Sequence, residues 1–249
     1  MKQLILKLLN RFGYQLAKFP VTEAIPTDFP SDVVRIFQAV RPYTQTSPER
    51  INAVCESVRY LTSNGIEGDI VECGVWRGGS MMAAAKMLKE LNSSDRRLYL
   101  FDTFEGMPPA TSEDVDLHGV AGERLIQESI DATGENWNFA SLGEVTENLY
   151  GTSYPKENIT FVKGMIEDTL VANAPAKIAL LRLDTDWYES TKHELEVLMP
   201  RMAKGGIVII DDYGHFQGAR KAVDEYIATY KPRIFLSRID YTGRMFVCV

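Results

Sequence analysis

From Asp69 to Asp212 the chain repeats one pattern: a short apolar run, a turn, then a longer stretch with helical spacing. Alternation of this kind predicts strands and helices wound around a largely parallel sheet, with helices on both faces. The apolar runs predict strands at 69–73, 97–102, 159–163, 178–184 and 206–211. Helices are expected to follow at 80–91, 188–202 and 218–230, and 140–150 supplies one more. The tail alternates over 233–237 and again over 245–249 around Tyr241-Thr242-Gly243, which predicts two antiparallel strands joined by a turn.

Ahead of this block, Ser47-Pro48-Glu49 opens a helix carrying Ile51, Val54, Val58 and Leu61 on one face, and a shorter helix is expected at 33–40. The first nineteen residues set Leu4, Ile5, Leu8, Leu9, Phe12 and Leu16 against Lys2, Lys7, Arg11 and Lys18, an amphipathic pattern and not an unbroken apolar span. Such a helix docks on its own domain or a second subunit, so a homo-oligomer stays open, or it lies on a membrane surface. No transmembrane segment is expected. With 249 residues and 45% hydrophobic content, the chain suffices for one α/β domain, 1–249, with a helical extension over 1–40.

A net charge of −7 offers no basic footprint for a phosphate backbone, so nucleic acid is not an expected partner. Three widely spaced cysteines, Cys55, Cys73 and Cys248, suit reduced thiols in a cytoplasmic protein better than a disulfide framework.

The ends of the predicted strands carry the chemistry. The first runs Asp69-Ile-Val-Glu72-Cys-Gly74-Val-Trp-Arg-Gly78-Gly79-Ser80 into a helix, a glycine-rich turn that lets a ligand approach backbone amides. It departs from the G-x-G-x-x-G dinucleotide fingerprint, which makes a nicotinamide oxidoreductase the second choice. The second strand ends at Asp102, where nucleoside-binding α/β folds grip ribose hydroxyls, although an aspartate there also caps turns. After the third strand, Gly164-Met165-Ile166-Glu-Asp168 offers backbone and apolar cover for an adenine face, with Asp168 a rival helix cap.

Two acidic clusters follow consecutive apolar strands, Asp184-Thr185-Asp186 and Asp211-Asp212. Four carboxylates at one sheet edge repel one another unless a cation joins them, and hard oxygen ligands suit Mg²⁺. Asp184 and Asp186 could each be the one that faces the cation. His215, close behind and titrating near neutrality, is an alternative base. The connection from Pro108 to Pro155 is too long for one crossover, and its part over 108–140, with Glu113, Asp114, Asp116, His118, Trp137 and Phe139, is a candidate substrate lid.

Six segments, in order, resemble the macrocin O-methyltransferase (TylF-like) family: Tyr43-Thr-Gln-Thr-Ser47, the Val71 to Ser80 turn, Phe101-Asp-Thr-Phe-Glu-Gly-Met-Pro108, Gly164 to Leu170, Leu183 to Ser190 and Ile210-Asp-Asp-Tyr-Gly214. The resemblance covers the chain from about residue 40 onward. It implies the class I methyltransferase fold, a Rossmann-like, seven-stranded, mostly parallel sheet with an antiparallel last strand. It further implies S-adenosyl-L-methionine held around Gln45, Glu72, Gly74, Ser80, Asp102, Thr103, Gly164, Ile166 and Asp168, the metal at Asp184, Asp211 and Asp212, and Asp186 as the base. Gln45 stands where methionine is expected in that family. The implied acceptor is a small molecule, a sugar diol whose adjacent hydroxyls chelate the metal. A noncatalytic cofactor-binding module is the remaining alternative.

Overall fold

The computed structural model describes residues 25–249. The amphipathic pattern over 1–19 lies outside the described residues.

Helix α1 (Ser31–Val40) buries Val33, Ile36, Phe37 and Val40, and α2 (Pro48–Ser63) buries Ile51, Val54, Val58 and Leu61. The Ser47 hydroxyl accepts from the Arg50 amide, as the Ser-Pro-Glu start predicts, a cap worth about 1 kcal/mol. The alternating block then gives β1 (Asp69–Cys73), α3 (Gly79–Glu90), β2 (Leu98–Asp102), α4 (Gly122–Thr133), α5 (Leu142–Gly151), β3 (Ile159–Lys163), α6 (Ile166–Asn173), β4 (Ile178–Leu183), α7 (Tyr188–Leu198), β5 (Met202–Ile210), α8 (Gln217–Tyr230), β6 (Ser237–Arg238) and β7 (Arg244–Val247).

The strands form one sheet in the order β3-β2-β1-β4-β5-β7-β6. β1 to β5 run parallel, and β7 is antiparallel to both β5 and β6. Every residue of β4 is buried, as a central parallel strand covered on both faces requires. One core cluster packs α1, α2 and α3 against one face; a second packs α6, α7 and α8 against the other. The chain order reverses between β1 and β4, so their carboxyl ends diverge into a crevice.

Three boundaries differ from expectation. β5 begins at Met202 and not at 206, because an irregular register between Ile178 and Leu180 brings Met202 into the ladder while Lys204 and Gly205 interrupt the apolar run. α7 stops at Leu198, where a 3-10 turn with Pro200 takes over. The sixth strand is two residues, Ser237–Arg238, and not 233–237. Alternation there reports half-burial of an extended chain without ladder pairing. The helix α4, inside the candidate lid, was not expected; it carries Leu125, Ile126 and Ile130, and only Gly122 is buried.

Candidate active site

Three of the turns leaving the sheet's carboxyl edge hold a non-glycine residue in the left-handed region: Trp76 (φ 46°) after β1, Phe104 (φ 51°) after β2 and Asp186 (φ 64°) after β4. Backbone held in this conformation concentrates where geometry is functionally constrained. Gly74 explains how the first and third of these turns come together. A Cβ on Gly74 would lie 1.9 Å from the Asp184 carbonyl oxygen, so only glycine lets the two strand ends meet. It also lines the smaller of the two cavities described below, so close strand approach comes in addition to the ligand approach that the sequence suggests.

Of the cavities along this edge, two border the acidic residues that follow β4. The larger, about 180 Å³, is lined by Gln45, Ser80, Trp137, Asn138, His215, Tyr241 and the four aspartates 184, 186, 211 and 212. The smaller lies between Gly74, Asp102, Thr103, Met165, Ile166 and Glu167. Asp184 borders both.

Within the larger cavity the four aspartates divide. Carboxylate oxygens of Asp184, Asp186 and Asp212 all lie within 4.8 Å of one another. Asp211 is held apart: its Oδ1 accepts from Arg182 and its Oδ2 from Arg50. The expected trio of 184, 211 and 212 is therefore not the one whose oxygens converge, because two guanidiniums occupy both oxygens of Asp211. Burial raises Asp184 and Asp212 well above the usual carboxylate range, reinforced by the other acids. Burial likewise pushes Asp186 to about 8, with Asp184 beside it, and a hydrogen bond with Asp212 partly offsets the rise. Asp212 Oδ2 is buried and has no partner.

Arg182 and Arg50 are the site residues that sequence reasoning missed. Arg182 is buried on β4, where its Nη1 donates to Glu72 (2.7 Å) and to Asp184 (2.5 Å) while Nη2 reaches Asp211. Glu72 is thus a structural partner behind the cavity, raised by burial to about 7 against the pull of Arg182. Arg50 links Asp211 to Asp240, which also accepts from the Ser47 hydroxyl at 2.7 Å and from the amides of Thr242 and Gly243. A lone arginine inside Ile178-Ala-Leu-Leu-Arg-Leu, a strand otherwise wholly apolar, was the available signal.

Asp102 sits at the end of β2 in the smaller cavity, as expected, and also organises its turn: it accepts from the amides of Val75 (2.6 Å), Trp76 and Phe104. Thr103 and Ile166 line the same cavity. Gly164 does not; its amide donates to the Asp102 carbonyl and ties β3 to β2. Asp168 is exposed, lines neither cavity and does not cap α6, whose N-cap is Met165.

The candidate lid closes over the larger cavity. Trp137 packs on Trp187 (5.9 Å between ring centroids) and Phe216 (6.0 Å), and Asn138 accepts from Gln45 at 3.0 Å. Gln45 therefore joins the N-terminal loop to the lid. Asp114 is completely buried; it accepts from the Tyr188 amide at 2.7 Å, capping α7, and from Thr111. Gly218 makes room for it, since a Cβ there would meet Asp114 Oδ1 at 2.5 Å. His118 and Phe139 are exposed. His215 is edge-packed on Phe216 and faces the Tyr241 hydroxyl at 3.4 Å, and burial lowers its pKa, so it is neutral at pH 7.

A crevice at the switch between β1 and β4, an acid at the end of β2 and an antiparallel strand beside β5 are together the features of the class I methyltransferase fold. Comparison with known proteins narrows this. The family model described as macrocin O-methyltransferase (TylF) matches residues 37–247, and the chain belongs to that family. The 8-demethyl-8-(2,3-dimethoxy-alpha-L-rhamnosyl)-tetracenomycin-C 4'-O-methyltransferase of Streptomyces olivaceus is 35% identical over 201 residues, 81% of this chain and 74% of that protein. The mycinamicin III 3''-O-methyltransferase of Micromonospora griseorubida is 31% identical over 184 residues, 74% of this chain and 70% of that one. The solved structure of the O-methyltransferase NovP is 31% identical and matches with a TM-score of 0.73, covering 83% of this chain and 82% of its own.

Proposed function

We propose that this chain is an S-adenosylmethionine- and Mg²⁺-dependent O-methyltransferase acting on a hydroxyl of a sugar or glycosylated small molecule, built as one methyltransferase domain with 108–140 as its lid. The observation that carries the metal is the convergence of Asp184, Asp186 and Asp212 within 4.8 Å, with a buried Asp212 oxygen left unpartnered. That donor set, all carboxylate oxygen, fits a hard divalent cation. The two cavities meet at Asp184, which favours a ligand running from the residues expected at the cofactor on one side to the acids on the other. The Streptomyces olivaceus relative is named for O-methylation of a rhamnosyl-bearing tetracenomycin, which favours a sugar diol here.

When bound, the cofactor supplies an electrophilic methyl group and the cation a Lewis acid that lowers the pKa of an acceptor hydroxyl. Asp184 and Asp212 would hold the cation, and Asp211, clamped by Arg50 and Arg182, keeps the Asp211-Asp212 turn in place. Asp186, aimed inward by its left-handed backbone, takes the acceptor proton. Asp102 and Thr103 would hold the ribose end. Trp137 and Phe216 exclude water, and His215, neutral, orients the acceptor.

Incubation with S-adenosylmethionine, Mg²⁺ and a panel of glycosides is expected to give singly methylated products by mass spectrometry, abolished by EDTA and restored by Mg²⁺. Calorimetric binding of NAD in place of S-adenosylmethionine would sink this reading. For Asp186→Asn we expect a loss of turnover of about 10²–10⁴-fold with Mn²⁺ binding retained. Loss of Mn²⁺ binding as well would make Asp186 a ligand and not the base.

A further inference from the structure

The two faces of the sheet are covered unequally near its antiparallel edge. On one, α8 packs over β5 and β7, and Val208, Ile210, Val223 and Phe246 are buried together. On the other, Ile207 and Met245 join the core beneath α2, but Val247, which pairs with Ile207 and shares its face, is 41% exposed. Tyr60 of α2 is 37% exposed. Between α2 and this edge runs a groove of about 530 Å³, with Tyr60, Ile207, Met245 and Val247 in its walls. An apolar sheet face in an α/β fold is normally covered by a further element. Glu49 and Glu56 make the α2 side of the groove acidic; Glu56 pairs with Arg59, and Glu49 forms no ion pair among the described residues. Arg238 also lines the groove and donates to the Asp240 carbonyl.

The described chain starts beside this groove: Phe29 lines it, and Ile25 packs on the adjoining core. Upstream, Leu4, Ile5, Leu8, Leu9, Phe12 and Leu16 recur at helical spacing, and residues 1–19 carry Lys2, Lys7, Arg11 and Lys18 without a single acid. We propose that the groove is the seat of residues 4–16 of the same chain, their apolar positions covering Val247 and Met245 and their basic ones answering Glu49 and Glu56. Residues 17–24 span up to roughly 26 Å when extended, which gives the segment reach. A tether this short also holds it at an effective concentration of the order of millimolar, well above that of a second copy.

Trypsin tests this on the full chain, because Lys7, Arg11 and Lys18 lie in or beside the segment. A protease reaches a docked segment only in its open fraction. Cleavage at these sites is expected to be slower by at least on the order of tenfold than in a synthetic peptide of residues 1–24, at every protein concentration. Val247→Asp, which sets a charge in the groove at a position already part exposed, is expected to restore most of the peptide rate. Val249→Asp, exposed and outside the groove, is expected to keep the protection. Thermal unfolding reports whether each variant is folded, and Tyr60→Glu replaces Val247→Asp if that chain is not. Wild-type cleavage at the peptide rate would overturn the inference, and so would undiminished protection in the folded groove variant. Protection that grows with concentration alongside a sedimenting dimer would overturn it in favour of a second copy. Protection only with vesicles of phosphatidylserine and phosphatidylcholine would overturn it in favour of a membrane surface.

Discussion

Arg182 shows how much one buried side chain holds. It is the shared partner of Glu72, Asp184 and Asp211, so Arg182→Met would leave three acids without their common cation. Removing one partner from a buried ion pair is far more damaging than replacing both, and we expect a loss of about 3–5 kcal/mol by urea denaturation. An unchanged midpoint would contradict this account. The same acids set a pH dependence. Asp186 titrates at about 8 in the folded chain, against roughly 3.9 when unfolded. Between these values the folded state keeps a proton that the unfolded state has released, so stability falls as pH rises from about 4 to 8. Glu72, raised to about 7, acts in the same direction. In EDTA the melting temperature is expected to drop between pH 6 and pH 8.5, whereas Mg²⁺ favours the ionised forms and reduces the drop. A Mg²⁺ shift that is constant with pH would contradict it. The aspartates were legible in the sequence because strand ends announce themselves. Their division was not, because it depends on Arg50, which is 161 residues from Asp211 along the chain.

Among the elements, the candidate lid is fastened in part by the buried carboxylate of Asp114. Asp114 caps α7 through the Tyr188 amide and holds Thr111, so it fastens the lid to the same helix that follows the Asp184 to Asp186 turn. Asp114→Ala is expected to lower stability by about 1–2 kcal/mol, as loss of a cap does. It should also raise the rate of limited proteolysis within 108–140 and the acceptor KM more than the cofactor KM. Equal protection of the lid in the variant would show that the Trp137, Trp187 and Phe216 cluster suffices. The strands of the central sheet were readable because burial on both faces writes continuous apolar runs, as in β4. Helix α4 was not, because a helix lying on the surface of an insertion has little to bury, and its two partly covered apolar residues, Leu125 and Ile126, do not establish a period. Tertiary pairing, not local pattern, also set the limits of β5 and β6.

For the whole molecule, the expected seven-stranded, mostly parallel sheet with an antiparallel last strand agrees with the structure, and among the described residues no helix is long and apolar enough to cross a membrane. A site assembled from α2, β4, β5 and the turn before β7 joins distant parts of the chain, so ligands that fill it should stabilise the fold globally. S-adenosylhomocysteine with Mg²⁺ at a hundred times its dissociation constant contributes about 2.7 kcal/mol. For a chain of this size that corresponds to a rise of roughly 5–10 °C in melting temperature, readable by scanning calorimetry. Smaller, separate rises for each ligand that exceed their sum when combined would report coupling between the two cavities.

Such coupling would have its origin in Asp184, which borders both cavities. Whatever changes its charge or orientation from one side is felt on the other, and thermodynamic reciprocity makes the effect equal in both directions. A dissociation constant measured for the cofactor alone therefore describes a different protein from the one at work with its cation. Were the cofactor and cation held on its two sides as proposed, this carboxylate would tie release of the spent cofactor to release of the product.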